Sequence, residues 1–116
     1  MPEIDRDREI IEHILRYCDQ VDIAHNDFGY SRERFFQSPT YQNSISMCIL
    51  QIGELAGHLS DEFKADNAQI PWRRIRGMRN YVAHDYGSID LQTVWLTATN
   101  SIGELRQFCT EFLSHL

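Results

Sequence analysis

Residues 38–59 have the sequence SPTYQNSISMCILQIGELAGHL. Apolar side chains recur in this stretch every three or four positions, the spacing that places them on one face of an α-helix; they are Tyr41, Ile45, Cys48, Ile49, Ile52, Leu55, Ala56 and Leu59. Ser38 can cap this helix, and Pro39 suits its first position. Gly53 and Gly57 are four residues apart and would let another helix approach closely. The stretch therefore predicts a long amphipathic helix.

Upstream of this stretch, a second apolar stripe predicts a helix at about residues 4–24. The stripe consists of Ile4, Ile10, Ile11, Ile14, Leu15, Cys18 and Val21. Residues 25–30 contain asparagine and glycine, which favour loops, so a loop is predicted there. A short helical turn is expected after Ser31, with Phe35 and Phe36 holding this connection against the core.

Downstream, a polar connection at residues 60–69 precedes a third predicted helix, which begins at residues 71–72 and ends between residues 84 and 87. Its apolar positions are Ile75, Met78, Val82 and Ala83. Either Ser88 or Asp90 can cap a fourth long helix. That helix runs towards Leu113 and is expected to turn Val94, Ala98, Ile102, Leu105, Cys109 and Phe112 inward.

The predicted elements define an all-α protein. Alternation with the period of two typical of strands is absent from the sequence, and so are hairpin dipeptides. Three long amphipathic helices and a shorter one predict an up-and-down helical bundle of four main helices, with a possible extra short helix. A chain of 116 residues has the length of one domain, so a single helical domain over residues 1–116 is expected.

Composition excludes several classes of protein. The chain is 42% hydrophobic and 24% charged, as in ordinary globular proteins, and no apolar run is long enough to cross a bilayer. The first residues lack the architecture of a signal peptide. Cys18, Cys48 and Cys109 form no CxxC pair and have apolar neighbours, so we expect buried thiols, no zinc site and a reducing compartment, the cytoplasm.

The net charge of −6 argues against a general nucleic-acid coat protein, which needs a broad basic surface. One segment reverses this sign, because Arg73, Arg74, Arg76 and Arg79 supply four of the 11 lysine and arginine residues. Such a segment is compatible with an enzyme that has one basic cleft.

Downstream of these arginines, His84 follows Arg79 after four intervening residues. Arginine keeps its charge in a protein, whereas histidine gains or loses a proton near neutral pH. The two side chains therefore suit a reaction at a phosphate, in which one holds the anion and the other transfers a proton. In a regular helix they would point roughly 140° apart. Either the helix loosens before His84, or two copies of the segment meet across a symmetric interface; we favour the dimer.

The pattern Arg79-Asn80-x-x-x-His84 resembles the signature of HEPN domains, the higher-eukaryote and prokaryote nucleotide-binding superfamily. Its extension to His84-Asp85-Tyr86 resembles HepT, the toxin half of HepT/minimal nucleotidyltransferase toxin–antitoxin pairs. Further stretches that match that family in order and spacing are Ile52-Gly53-Glu54, the segment from Pro71-Trp72 to Asn80, Ile89-Asp90 and Val94-Trp95. The resemblance covers nearly the whole chain.

This resemblance implies a HEPN-like bundle that acts as a homodimer and as a metal-independent endoribonuclease on RNA, with no cofactor. The RNA's own 2′-hydroxyl would attack the adjacent phosphate and leave a cyclic phosphate end. His84 would be the general acid or base, and Arg79 would stabilise charge on the phosphate in the transition state. Asn80 would orient the phosphate or His84.

The resemblance also implies a partner, a minimal nucleotidyltransferase antitoxin that transfers AMP from ATP to Tyr86. At least one side chain among Arg73, Arg74 and Arg76 is expected to contact RNA or this acidic partner. The alternative function is a non-catalytic nucleotide-binding or helical partner subunit of a nucleotidyltransferase. A purely structural bundle would leave the arginine cluster unexplained.

The remaining polar and aromatic candidates have structural interpretations. Glu54 lies within a helix and is expected to pair with Arg73, Arg74 or Arg76 across the bundle. The histidines outside the motif, which are His13, His25, His58 and His115, show no ligand spacing and are expected to be surface or capping residues. Trp72 and Trp95 are expected to anchor the core rather than stack on bases.

Overall fold

The computed structural model describes residues 3–80 and 90–115. All regular structure within these residues is helical, which confirms the all-α class and the bundle. Several predictions fall outside the described residues, namely those for Val82, Ala83, His84, Asp85, Tyr86, Ser88 and the side chain of Ile4. In the described part, no helix has the length and apolar character needed to cross a membrane.

Seven α-helices and one π-helical turn make up the described regular structure. They are α1 (Glu3–Asp27), α2 (Arg32–Gln37), α3 (Pro39–Gly57), α4 (Asp61–Asp66), α5 (Trp72–Gly77), α6 (Leu91–Leu96), the π-helical turn Thr97–Ser101, and α7 (Ile102–Ser114). Helices α6 and α7 form one continuous rod through the π turn, because the residues at both junctions keep right-handed helical dihedral angles. This rod is the predicted fourth long helix.

Capping side chains explain where helices α2, α3 and α6 begin. Ser31 accepts a hydrogen bond from the Arg34 backbone amide at 3.1 Å, and Ser38 accepts one from that of Tyr41 at 3.2 Å. Asp90 accepts hydrogen bonds from the hydroxyl of Thr93 at 2.7 Å and from its amide at 3.1 Å. These bonds lower the pKa of Asp90. The predicted cap at Ser38 is confirmed, and of the two caps considered for the fourth helix the structure uses Asp90.

The first helix is longer than predicted. It continues through Asp27 instead of ending at residue 24, because His25 lies on its inward face and is fully buried. The helix stops where Gly29 adopts a φ of 70°. The amide of Gly29 bonds to the carbonyl of Asn26, and that of Tyr30 to the carbonyl of His25, which is the Schellman arrangement. The predicted loop is therefore shorter, and Gly29 is its helix breaker.

The connection at residues 60–69 contains a short helix, α4, where only a polar connection is expected from the sequence. Ser60 caps α4 by accepting a hydrogen bond from the Phe63 amide at 3.1 Å. Asp7 of α1 in turn accepts two hydrogen bonds from Ser60, from its amide at 2.8 Å and from its hydroxyl at 2.6 Å. Phe63 is the buried residue of α4. A helix of six residues with one buried side chain shows no detectable periodicity.

The core lies between α1 and α3, with α7 packed on α1 and α5 packed on α3. The predicted stripes are buried there; their innermost members include Ile11, Ile14, Val21, Ile45, Ile49, Ile52, Val94, Ile102 and Leu105. Cys18, Cys48 and Cys109 are buried free thiols, as predicted. Burial raises the pKa of Cys48 to about 11 and that of Cys109 to about 12, so these thiols stay protonated.

Candidate functional site

The close approach of a second helix to Gly53 and Gly57 is confirmed, and that helix is α5 with the turn that follows it. A Cβ atom on Gly53 would lie 3.1 Å from the backbone nitrogen of Arg79 and 3.2 Å from the carbonyl oxygen of Arg76. A Cβ atom on Gly57 would lie 3.1 Å from Nε of Arg76. Gly53 therefore lets the backbone of the arginine-rich segment pack on α3, and Gly57 makes room for the side chain of Arg76.

The third helix is shorter in its described part than predicted. Helix α5 ends at Gly77, and Met78 and Arg79 form a turn. Their amides bond to carbonyls three residues back, Met78 to Ile75 at 3.1 Å and Arg79 to Arg76 at 3.4 Å. These hydrogen bonds span three residues instead of the four of an α-helix, so the chain is wound more tightly at the end of the helix. Arg79 therefore lies in a turn beyond the end of α5.

The side chain of Arg79 is oriented by Glu54, the neighbour of Gly53. Its Nη1 donates a hydrogen bond to Oε1 of Glu54 at 2.6 Å. The predicted pairing of Glu54 with Arg73, Arg74 or Arg76 is thus wrong, because the close packing at Gly53 brings Arg79 to Glu54. The Arg79 side chain is 35% exposed, and its Nε and Nη2 donate to no other side chain or carbonyl among residues 3–80 and 90–115. It can therefore still bind a phosphate.

The structure describes some of the other predicted site residues and leaves two of them outside the described ranges. Asn80 follows Arg79 and is exposed. His84 and Tyr86 lie outside the described residues, so their approach to Arg79 remains a prediction. The three remaining arginines are exposed, but they line two different clefts. Arg73 and Arg76 face one cleft together with Lys64, whereas Arg74 faces another together with Glu104.

His25 was predicted to be a surface or capping residue, and it is instead fully buried. Its Nε2 donates to the carbonyl of Ala98 at 3.4 Å, so its Nδ1 accepts the hydroxyl proton of Tyr41. Tyr30 stacks on the imidazole with ring centroids 4.1 Å apart. Burial lowers the pKa of His25 and raises that of Tyr41 to about 12, so both groups stay neutral. The spacing of His25 from Cys18 and Val21 was the missed signal.

The other structural interpretations are confirmed. His13, His58 and His115 are exposed, and His58 caps the end of α3. Trp72 is buried against Phe63 and Phe108, and Trp95 packs among His25, Phe35 and Tyr41. Within residues 3–80 and 90–115, no three histidine, cysteine, aspartate or glutamate side chains are grouped to hold a metal ion. The absence of a metal requirement stays a prediction.

The chain as a whole is similar to proteins of a known family. The family described as Ribonuclease HepT-like matches residues 8–112. A candidate RNase from Caldanaerobacter subterraneus subsp. tengcongensis is 30% identical over 106 residues, which cover 91% of this chain and 93% of that protein. A candidate RNase from Methanocaldococcus jannaschii is 29% identical over 94 residues, covering 81% and 79%.

A third relative, from Thermococcus cleftensis, is described as a probable ribonuclease HepT. It is 28% identical over 74 residues, which cover 64% of this chain and 67% of that protein. No solved structure matches the chain significantly.

Proposed function

The chain belongs to the HepT-like ribonuclease family, and from that premise we propose that it is the toxin of a toxin–antitoxin pair, cleaving RNA without a metal ion or cofactor. Membership confirms the resemblance to HepT identified in residues 79–86 and the predicted class of enzyme, an endoribonuclease. The catalytic residues, the antitoxin and the dimer belong to the proposal.

The observation that supports this proposal best is the fixed position of Arg79. Its backbone nitrogen would lie 3.1 Å from a Cβ on Gly53, and its guanidinium bonds to Glu54. A cation held in place before substrate binds stabilises developing charge without reorganising during the reaction. Since Glu54 occupies one of its five N–H groups, Arg79 can still donate to two oxygens of a phosphate.

The proposed reaction is an internal transesterification. The 2′-oxygen of a ribose forms a bond to the adjacent phosphorus, and the bond from phosphorus to the 5′-oxygen of the next nucleotide breaks. The products are a 2′,3′-cyclic phosphate and a 5′-hydroxyl. His84 accepts the proton of the 2′-hydroxyl or donates one to the departing 5′-oxygen. Asn80 orients the phosphate or His84, and Arg79 stabilises the additional negative charge.

The proposal includes a homodimer. Each chain carries a net charge of −6, which disfavours RNA unless its few cations are concentrated. A two-fold interface that joins two copies of residues 73–86 would double the arginines in one cleft and let each copy complete the other's site. The alternative is that His84 approaches Arg79 within one chain, and the oligomeric state of the active protein distinguishes the two arrangements.

The proposed antitoxin is a minimal nucleotidyltransferase that modifies Tyr86. The phenolic oxygen of Tyr86 would attack the α-phosphate of ATP and release pyrophosphate. The AMP group would add negative charge two residues from His84 and compete with RNA for Arg79. Protein incubated with the partner and ATP should gain the mass of one adenylyl group, which is AMP less one water, and Tyr86→Phe should gain none. Equal labelling of the Tyr86→Phe variant would rule out this site.

RNA cleavage by the free protein in excess EDTA tests the main proposal. The wild-type protein should cleave, and Arg79→Ala and His84→Ala should lose cleavage while their circular dichroism spectra and melting temperatures stay close to wild type. Activity that persists in both variants would point to a contaminating nuclease. A stable complex with the nucleotidyltransferase but no cleavage by the free protein would favour the alternative, a non-catalytic partner subunit.

A further inference from the structure

We propose that Lys64, Arg73 and Arg76 form a subsite for an RNA backbone phosphate next to the phosphate held by Arg79. The inference deepens the proposed ribonuclease function and rests on it for the identity of the ligand. It assigns a role to Lys64, which no motif includes, and it separates Arg73 and Arg76 from Arg74.

The subsite is a cleft where α4 and α5 meet α3. Its volume is about 210 Å³, and its lining residues are Ala56, Lys64, Trp72, Arg73 and Arg76. Trp72 is buried and donates its indole N–H to the carbonyl of Asn67 at 3.0 Å. Its ring therefore forms an apolar wall, and the remaining polar side chains that line the cleft are the three cations.

The positive charge of this cleft is weakly compensated. No ion pair between described residues involves Arg73 or Arg76. Lys64 lies 3.8 Å from Asp61, but the Asp61 carboxylate is fully exposed, so water screens the pair. Three cations from two helices thus face one small volume. Phosphate is the anion that such a group binds in nucleic acids, through charge rather than base identity.

The position of Arg76 connects this cleft to the proposed catalytic arginine. Its side chain lies against Gly57, where an added Cβ would be 3.1 Å from Nε and 3.3 Å from Cδ. Arg79 follows Arg76 by one turn and bonds to Glu54, which lies on α3 as Gly57 does. The Arg79 amide bonds to the Arg76 carbonyl three residues back, and side chains at this spacing lie one above the other in such a tight turn. An RNA strand with one phosphate at Arg79 would therefore bring a neighbouring phosphate towards Arg76 and the cleft.

Arg74 is adjacent in sequence to Arg73 but faces a different environment. It lines a cleft between α5 and α7 whose other members are Gln69, Ile70, Pro71, Ile75, Met78, Ser101, Glu104 and Leu105. The carboxylate of Glu104 and the apolar majority of these residues disfavour a phosphate. The structure therefore distinguishes between arginines that the sequence alone treats as equivalent.

Salt-dependent binding of a non-cleavable RNA tests this subsite. The probe is a short single-stranded RNA with 2′-O-methyl groups, which blocks the attacking hydroxyl, and its affinity is measured by fluorescence anisotropy at several salt concentrations. Lys64→Ala and Arg73→Ala should each lower the affinity several-fold. Each should also reduce the slope of log affinity against log salt, by up to about 0.7, because about 0.7 is the contribution of one complete phosphate contact to a single strand and the three cations share that contact.

Two variants with the same change in charge serve as comparisons. Arg32→Ala removes an exposed arginine of α2, whose guanidinium lies 4.6 Å from the centre of the Phe36 ring, and should keep the wild-type slope. Arg74→Ala should reduce the slope less than Arg73→Ala does. An equal or larger reduction for Arg74→Ala would overturn the assignment, as would wild-type slopes for Lys64→Ala and Arg73→Ala.

The result of this binding assay is independent of the result of the cleavage assay. If wild-type protein cleaves RNA but the two cleft variants bind the probe like wild type, the ribonuclease stands and the subsite is refuted. If wild type cleaves nothing but both variants show the reduced slope, the catalytic proposal fails and the phosphate subsite stands. If the variants lose affinity only for the nucleotidyltransferase partner, the cleft binds protein and the inference is wrong.

Discussion

Glu54 and Arg79 join helix α3 to the turn after α5 through a hydrogen bond of 2.6 Å between Oε1 and Nη1. Both side chains are partly exposed, at 44% and 35%, so the pair contributes little to stability. Its consequence is orientation, because a guanidinium fixed at one N–H group presents the others in a defined direction. Glu54 is therefore a positioning residue for Arg79.

Replacing Glu54 should affect turnover more than folding. Glu54→Ala should lower kcat about tenfold with a smaller change in KM, because Arg79 loses its orientation, and should change the free energy of unfolding by less than about 1 kcal/mol. Glu54→Gln keeps an oxygen that can accept from Arg79 and should restore most of the activity. Steady-state cleavage of a fluorogenic RNA provides the measurement. Equal losses in the two variants would indicate a chemical role for the carboxylate.

Gly53→Ala should disturb the site through the backbone. The new methyl group would lie 3.1 Å from the Arg79 nitrogen and 3.2 Å from the Arg76 oxygen, so the turn must move. We expect cleavage to fall at least tenfold and stability to fall by about 1–3 kcal/mol, the usual cost of overpacking. Gly103→Ala is the matched control, since nothing lies within 4 Å of its added Cβ and alanine favours helix by about 1 kcal/mol. If Gly53→Ala and Gly103→Ala changed cleavage and stability alike, the close packing of the Arg79 turn on Gly53 would be contradicted.

The stability of the protein should fall below pH 6.5 because of His25. Burial lowers the pKa of His25 from 6.5, against smaller opposing effects of the Ala98 carbonyl and Asp22. Between its folded and unfolded pKa values the unfolded chain binds the extra proton, so stability is fully present above pH 6.5 and decreases as the pH falls. The slope is at most about 1.4 kcal/mol per pH unit.

Urea denaturation between pH 5.5 and 7.5 measures how the free energy of unfolding depends on pH. This pH range lies above the one in which most carboxylates titrate. The asparagine of His25→Asn does not titrate in this range, so this variant should lose the part of the pH dependence that comes from His25. His13→Gln alters an exposed histidine of the same helix and should keep it. An unchanged slope in His25→Asn would mean that another group is responsible.

Asp7 should contribute to stability by holding α4. Asp7 is 3% exposed and accepts both hydrogen bonds from Ser60, so Asp7→Ala leaves the partly buried backbone amide of Ser60 without its partner. We expect a loss of about 2–3 kcal/mol in the free energy of unfolding, measured with urea. Asp5→Ala removes an exposed carboxylate from the same helix and should change stability by less than about 0.5 kcal/mol. Equal effects would show that the contact to Ser60 is unimportant.

Helix α4 also carries Lys64, so Asp7→Ala should weaken binding of the non-cleavable RNA. Asp5→Ala should bind this RNA like wild type. Fluorescence anisotropy should be measured under conditions in which both variants are folded. Weaker RNA binding by Asp7→Ala then reflects a displaced α4 and not a smaller amount of folded protein.

The long helices could be predicted from sequence because each buries a continuous stripe, as Ile45, Ile49 and Ile52 do in α3. Helix α4 could not, since Phe63 is its single buried residue and its cap depends on Asp7, 53 positions away. The π turn at residues 97–101 leaves the inward stripe intact and so has no signature in the apolar pattern.

The candidate site was predicted in part. Gly53 and Gly57 indicated the close contact, and the motif indicated Arg79. The partner of Glu54 could not be deduced, because four nearby arginines have the same charge and the turn at Met78 and Arg79 decides which of them reaches it. The division of the arginines between two clefts likewise depends on the direction of each side chain around α5.

Mass analysis of RNA ends after incubation with the purified protein in EDTA examines the proposed chemistry itself. Wild type should yield fragments with a 2′,3′-cyclic phosphate, lighter by one water than a linear phosphate, and complementary fragments with a 5′-hydroxyl. Arg79→Ala and His84→Ala should yield neither. Fragments with 3′-hydroxyl and 5′-phosphate ends, or cyclic ends formed equally well by both variants, would contradict catalysis by Arg79 and His84.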